Sequence, residues 1–300
     1  NTGPFRWYIH DALIDNWGMD RFVTNLILME GSQYLGGPAG FGMASENDVP
    51  MAAKAHVIGT AFLGVEMKCA RCHDAPNHPF QQSDLFSIAA MLDRKPLTVP
   101  ASSSIPATEE ELEEMIVDVS LKPGESIEPH WPFQEFARIN ETLEDSRVQL
   151  ARVITAPENI RFREVLVNRL WRRLIGIGLM PDTSDWTDST ASHPVLLEYL
   201  ARELLASGDN MKHVAGMIMK SQIYQRQPMQ HVGPDEYGIP LRGPLRRRMT
   251  AEQLMDSLHT ATGKPMRGEV QSFSQDGAQG PSTFFEMGRP SRAWQLVCTS

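Results

Sequence analysis

The sequence predicts a mainly α protein with few short strands, and three observations predict it. Apolar residues recur at helical spacing, as in the stripe Leu196, Leu197, Leu200, Leu204 and Leu205. Two capping boxes stand ahead of such segments, Thr108 with Glu111 and Thr250 with Gln253. Pro194 falls in the first turn of one segment, and Gly208 and Gly263 fall where segments stop. With 300 residues, 41% of them hydrophobic and 22% charged, the chain has the composition of a globular protein able to bury a core.

In chain order, Val57, Ala61 and Val65, with Phe62 alongside, predict a helix over 51–67 that runs straight into Cys69. Leu85, Ile88, Ala89 and Leu92 predict a second over 83–92. Prolines and the run Ser102-Ser103-Ser104 predict a loop over 94–106, and Thr108 then opens a helix. The acidic run 109–114 sits at that helix start, where the backbone dipole favours negative charge, and reads as a solvated face. The β-branched segment 117–132 predicts short strands. A soft boundary near 140–145 divides the chain into domains 1–142 and 143–300. Helices follow over 146–155, 159–175, 192–207 with Ser192 as cap, 210–223, and 250–262. The Gly-, Ser- and Gln-rich tail 263–281 reads as a mobile loop.

Bulk chemistry removes some functions. A formal net charge of -9 argues against nucleic acid, whose phosphates need a basic surface. The run Arg246-Arg247-Arg248 reads as a solvated turn before a helix. Three cysteines cannot build a disulfide scaffold or a four-cysteine zinc site. No apolar run approaches the roughly 18 residues needed to cross a bilayer, so membrane association is expected only through a partner or through sequence outside this chain. The chain opens on Asn1-Thr2-Gly3-Pro4 and ends after Cys298-Thr299-Ser300, and reads as a processed or partial piece of a longer protein.

The chemistry concentrates in Cys69-Ala70-Arg71-Cys72-His73. Cys-x-x-Cys-His is the attachment signature of c-type haem. Two thiols one turn apart add to the two vinyl groups of one porphyrin, and the next imidazole then lies beneath the ring, in place to bind iron. The site is followed by a Pro-rich turn, Asp74 to Phe80, in which a Pro carbonyl is expected to accept the other ring N–H of His73 and fix its orientation. Two other readings stay open. A zinc site would recruit Cys69, Cys72, His73 or His78, without a second ligand pair at regular spacing. A thiol-disulfide pair needs only Cys69 and Cys72, but the βαβ pattern of thioredoxin-like proteins is missing.

The run 62–74, followed by His78-Pro79-Phe80, resembles the haem-binding segment of the planctomycete cytochrome c domain family. The second half resembles the planctomycete-specific domain of unknown function that follows it. Val167-Asn168-Arg169-Leu170-Trp171, Gly176-Ile177-Gly178, Ser192-His193-Pro194-Val195-Leu196-Leu197, Ser221-Gln222-Ile223-Tyr224 and the run 247–254 carry that likeness, with 285–292 and Cys298 similar to a later segment. The resemblance implies one covalent haem c and export by a signal peptide not present in this chain, because haem is attached outside the cytoplasm. It implies no reaction. Two departures stand out. Ala75-Pro76-Asn77 push to position 78 a His that the family places two residues after the haem-ligating His, and Ser184-Asp185-Trp186 replaces an acidic pair.

The expectation is therefore an extracytoplasmic monohaem c-type cytochrome. Cys69 and Cys72 attach the haem, His73 binds its iron, and the protein serves electron transfer with a redox partner or within a larger complex. The alternatives are a haem-dependent oxidase or peroxidase and a structural haem subunit of an envelope or respiratory complex. Met91, Met43 and His130 are candidates for the sixth iron position, while His56 stands roughly 20 Å up the same helix at 1.5 Å per residue and His78 is too close in sequence. His193 reads as a helix-start residue, His213 and His259 as surface or core residues, and Asp182, Asp185 and Asp188 as an acidic turn rather than a calcium site. Cys298 reads as an inert buried thiol.

Overall fold

The computed structural model describes residues 3–31, 37–42, 49–74, 78–101, 118–139, 144–229, 243–249, 251–263, 269–271 and 281–283. The architecture is mainly helical, as expected. Helix α1 (Gly3–Ile14) folds onto α2 (Met19–Leu28). Tyr8 stacks on Phe22 at 5.4 Å between centroids and donates its hydroxyl to the Phe22 carbonyl at 3.0 Å. A short α3 (Ala39–Gly42) is followed by α4 (Pro50–Ile58), which starts on a proline whose missing N–H costs nothing there.

The helix expected over 51–67 stops early. After α4 the chain widens into a π turn, Gly59–Leu63, and Gly64 ends it in the left-handed region with φ 65. Helix α5 (Gln82–Asp93) packs on α4, and its first turn is closed by Asp84, whose carboxylate accepts the Gln81 N–H at 2.9 Å. Strand β1 (Leu97–Thr98) falls inside the expected loop and pairs antiparallel with β2 (Ser126–Ile127), in register Leu97 to Ile127. Thus 117–132 does hold a strand.

Helices α6 (Ser146–Thr155) and α7 (Ile160–Ile175) are capped by side chains. Asp145 accepts from Arg147 and Val148, and Asn159 accepts from Phe162. In α8 (Pro194–Ala206) the cap position belongs to His193 rather than Ser192, because the Ser192 N–H and hydroxyl both turn back to the Leu179 carbonyl. Gly208 at φ 70 follows its end, as the stop signal predicts. The segment 210–223 is not one helix. Helix α9 (Met211–Lys220) ends at extended Ser221, whose hydroxyl caps the single turn α10 (Gln222–Gln225). Helix α11 (Ala251–Thr262) ends at Gly263, φ 66. The tail is not wholly loop, since β3 (Glu269–Gln271) pairs antiparallel with β4 (Pro281–Thr283). The helix opened by Thr108, the acidic run 109–114, Thr250 and Cys298 lie outside the described residues.

One apolar cluster runs from Val23 to Ile218 and joins α2 through α9. Helix α6 packs on both α2 and α5, and α7 packs on α8, α9 and the π turn. Arg147 ties these pieces with donations to the Leu92 carbonyl at 2.6 Å and the Leu28 carbonyl at 3.1 Å. Apolar side chains from both sides of the expected boundary thus share one core.

Candidate cofactor-attachment site

The π turn and Gly64 reverse the chain ahead of the cysteines. Val65 donates to the Gly59 carbonyl at 3.1 Å, and Met67 folds back so closely that a Cβ on Gly59 would lie 2.6 Å from Met67 Cε. The reversal sets Glu66 beside α4. Its Oε1 lies 3.2 Å from His56 Nδ1 and accepts the Lys68 N–H at 2.9 Å. The expected placing of His56 roughly 20 Å up one continuous helix therefore fails, because the helix ends before Cys69 and the chain turns back to bring Glu66 against His56. Burial lowers the His56 pKa, Glu66 opposes that shift, and Lys68 and Arg71 add to it.

Cys69–Arg71 forms a tight 3₁₀ turn, closed by donations from Cys72 and His73 to the Cys69 carbonyl at 3.0 and 3.2 Å. The two cysteines stand three residues apart, Cys69 opening the turn and Cys72 closing it as the C-cap with φ -119. Both are free, Cys69 exposed and Cys72 half-buried. Ala70 between them is fully buried, and the turn packs on α5. His73 Nδ1 lies 2.7 Å from the Asp74 carbonyl. A carbonyl oxygen only accepts, so Nδ1 carries a hydrogen, and in the neutral ring the lone pair is on Nε2. The expected Pro carbonyl is not the partner; the adjacent residue supplies it.

Asp74 is itself anchored. Its N–H donates to the Asp118 carbonyl at 2.8 Å, and its Oδ1 accepts from the Gln82 N–H and the Ser120 hydroxyl, both at 2.9 Å. Gln82, fully buried at the start of α5, accepts the N–H groups of Ser120 and Leu121 at 3.1 and 3.2 Å. The imidazole is thus oriented by a carbonyl that α5 and segment 118–121 hold in place.

The second half reaches the same segment. The Trp186 N–H donates to the Gly64 carbonyl at 2.9 Å, and its indole lies on Gly64, where a Cβ would sit 2.8 Å from the ring. Arg161 covers the indole at 4.7 Å from its centroid. Arg169 donates to the Thr60 carbonyl inside the π turn at 2.7 Å. Asp185 Oδ2 lies 3.5 Å from His78 Nδ1, and His78 stacks on Phe80. The two departures noted in the sequence, the displaced His78 and the 184–186 run, therefore meet one another. Within this region the Trp186 indole nitrogen, Arg169 Nε, Gln82 Nε2 and His78 Nδ1 are all sealed from solvent without a hydrogen-bond partner. Trp186 is 8% exposed.

Other candidates fall as follows. Met91 is buried in α5 among core side chains, and His130 is exposed. Met43 lies outside the described residues. Asp182 and Asp185 accept backbone N–H groups of their own turn, from Ser184 at 2.6 Å and Thr187 at 3.0 Å, which is the turn reading. His193 contacts the Ser192 hydroxyl at 3.1 Å, and His213 lies 3.8 Å from Glu203. Among the described residues no group of three or more His, Cys, Asp or Glu side chains is placed to hold a metal ion. Sequence reasoning missed Trp186, Arg169 and the His56–Glu66 contact. The one available signal was Gly64, a glycine inside an apolar helical period.

Residues 1–96 match the family model PSCyt2, described as a protein of unknown function (DUF1549). Residues 146–290 match PSD1, also described as a protein of unknown function (DUF1553). No curated protein and no solved structure matches the chain. The chain thus carries a DUF1549 domain, with the Cys69-to-His73 turn inside it, followed by a DUF1553 domain.

Proposed function

We propose that the chain is an extracytoplasmic monohaem c-type cytochrome of the planctomycete cytochrome type, passing electrons to a redox partner or within a larger assembly. The observation that carries this reading is the turn itself. It has two free thiols three residues apart and an adjacent imidazole whose Nδ1–H is spent on the Asp74 carbonyl. That donor set fits a haem joined by two thioethers and ligated by His73 Nε2. Zinc would need four ligands, whereas haem needs one from the protein beyond its attachment points. Bound haem supplies the one-electron iron couple.

The chain's own residues do the rest. Cys69 and Cys72 attach the porphyrin. The Asp74 carbonyl fixes the His73 tautomer and ring orientation, the usual role of an outer hydrogen bond on a ligating imidazole. The buried Ala70 and the packing of α5 hold the turn. The exposure of Cys69 favours an electron carrier over a haem that only staples the fold, since it leaves that edge of the site open to a partner.

The test is the intact mass of the denatured, exported protein and its visible spectrum, oxidised and dithionite-reduced. A mass raised by one haem with sharp reduced bands is expected. A colourless protein of unmodified mass would overturn the reading. High-spin iron that turns over peroxide would move it to the oxidase or peroxidase alternative.

A further inference from the structure

Five arginines gather at the C-terminal end of α7. Arg172 and Arg173 stand in its last turn, and Arg246, Arg247 and Arg248 lie on the segment 243–249 that crosses it. The Leu245 N–H donates to the Ile175 carbonyl at 2.6 Å and fixes that crossing. Arg247 donates through both Nη atoms to the Arg173 and Leu174 carbonyls, so its charge is held against the helix end. All five are exposed. Among the described residues none of the five is ion-paired with a carboxylate, whereas the exposed Arg94 and Arg202 are paired with Asp145 and Glu198. The acidic neighbour, Asp182, acts on Arg169 alongside Arg172 but spends its Oδ1 on the Ser184 and Asp185 N–H groups.

A helix C-terminus attracts cations, and Arg172, Arg173 and Arg247 are placed to use that attraction. The attraction is limited, because the helix end carries only about half a negative charge. Even with Asp182 counted, a surplus of about three positive charges remains, on a chain whose formal net charge is -9. Crowded like charges repel one another and destabilise the fold that holds them. An anion laid across them removes that repulsion.

We propose that this arginine cluster is a docking surface for an acidic segment of a partner protein. Guanidinium forks grip carboxylates through pairs of parallel bonds. The rest of the molecule selects the kind of anion. Electrostatic reach at physiological salt is about 8 Å, so a compact group of carboxylates feels the arginines alone. A nucleic acid strand or an anionic membrane extends far beyond that reach and meets the acidic remainder of the chain. The surface belongs to the DUF1553 half and does not depend on the haem reading above.

The experiment measures binding of a labelled oligoglutamate peptide to the full chain by fluorescence anisotropy, at low and at physiological salt. The cluster variants are R246Q/R248Q and R172Q/R173Q, both of which keep Arg247 on the helix end. R94Q/R202Q removes the same charge elsewhere, and thermal midpoints check that each variant folds. The expected result is saturable binding that each cluster variant weakens by about tenfold, with a shallower salt dependence, and that R94Q/R202Q leaves within about twofold of wild type. No saturable binding by wild type, or cluster variants that melt like wild type and bind as tightly, would overturn the surface. Equal weakening by R94Q/R202Q would reduce the effect to overall charge, and also overturns it. Tighter binding of a labelled oligonucleotide or of phosphatidylglycerol vesicles than of the peptide would overturn the acidic-protein partner.

Discussion

Arg163 and Asp209 form a buried ion pair, with side-chain exposures of 2% and 4%. The guanidinium grips the carboxylate through two bonds of 2.8 Å and spends other hydrogens on the carbonyls of Ala156, Asn159 and Thr155. Asp209 returns the service through its backbone, accepting the Met19 N–H at 3.0 Å, so the pair fastens the start of α2 to the second half. Such a pair adds little over a well-packed apolar one, but breaking it strands a charge. Asp209→Asn keeps the shape and tolerates the left-handed backbone, φ 55, while deleting the charge. The expected loss is about 3–5 kcal/mol in urea unfolding; a loss below about 1 kcal/mol, within the range of exposed pairs, would show that the interior there is wet. At this scale the sequence was uneven. His73 was legible because two cysteines announce it. Arg163 and Asp209 were not, because 46 residues separate them and neither stands in a motif.

Several helix ends were legible, though not those that Gly64 and Ser221 make. Gly208 and Gly263 stand at the stops that the sequence marks, and the helices at Ser146–Thr155 and Ile160–Ile175 keep the expected bounds to within a residue. The helix before the cysteines was not legible, since the apolar period continues through Phe62 and Val65 while the backbone leaves the α path at Gly59. Periodicity reports which face is buried, and a π turn followed by a reversal buries the same residues. Gly64 is the element's hinge: φ 65 suits glycine, and its missing Cβ is the space the Trp186 ring fills. Gly64→Ala is expected to cost about 2–4 kcal/mol, combining left-handed strain with displacement of the indole. Urea denaturation monitored by tryptophan emission measures it, and a change under about 0.5 kcal/mol would mean that the turn is not held as described.

Across the whole molecule, the composition shift near 140–145 marks a change in sequence character but not an end to packing. Thr24 approaches Thr155, Arg147 reaches Leu28, and Phe62 meets Phe162 at 6.1 Å. Composition cannot reveal this, because apolar residues look alike whichever segment they pack on. A fragment ending at residue 142 would expose the faces of α2 and α5 that α6 covers. It is expected to show helical far-ultraviolet dichroism without a cooperative thermal transition. A sharp transition in that fragment would establish an independent first domain.

The shared core also has a clock in it. Ribosomes deliver the chain in order, and Phe162, the partner of the π turn, emerges 162 − 72 = 90 residues after Cys72. At about 5–20 residues per second that is a wait of roughly 4–18 s before the attachment segment gains its packing partner. During this interval Cys69 and Cys72 belong to unfinished chain, open to an enzyme or an oxidant without any fold having to open.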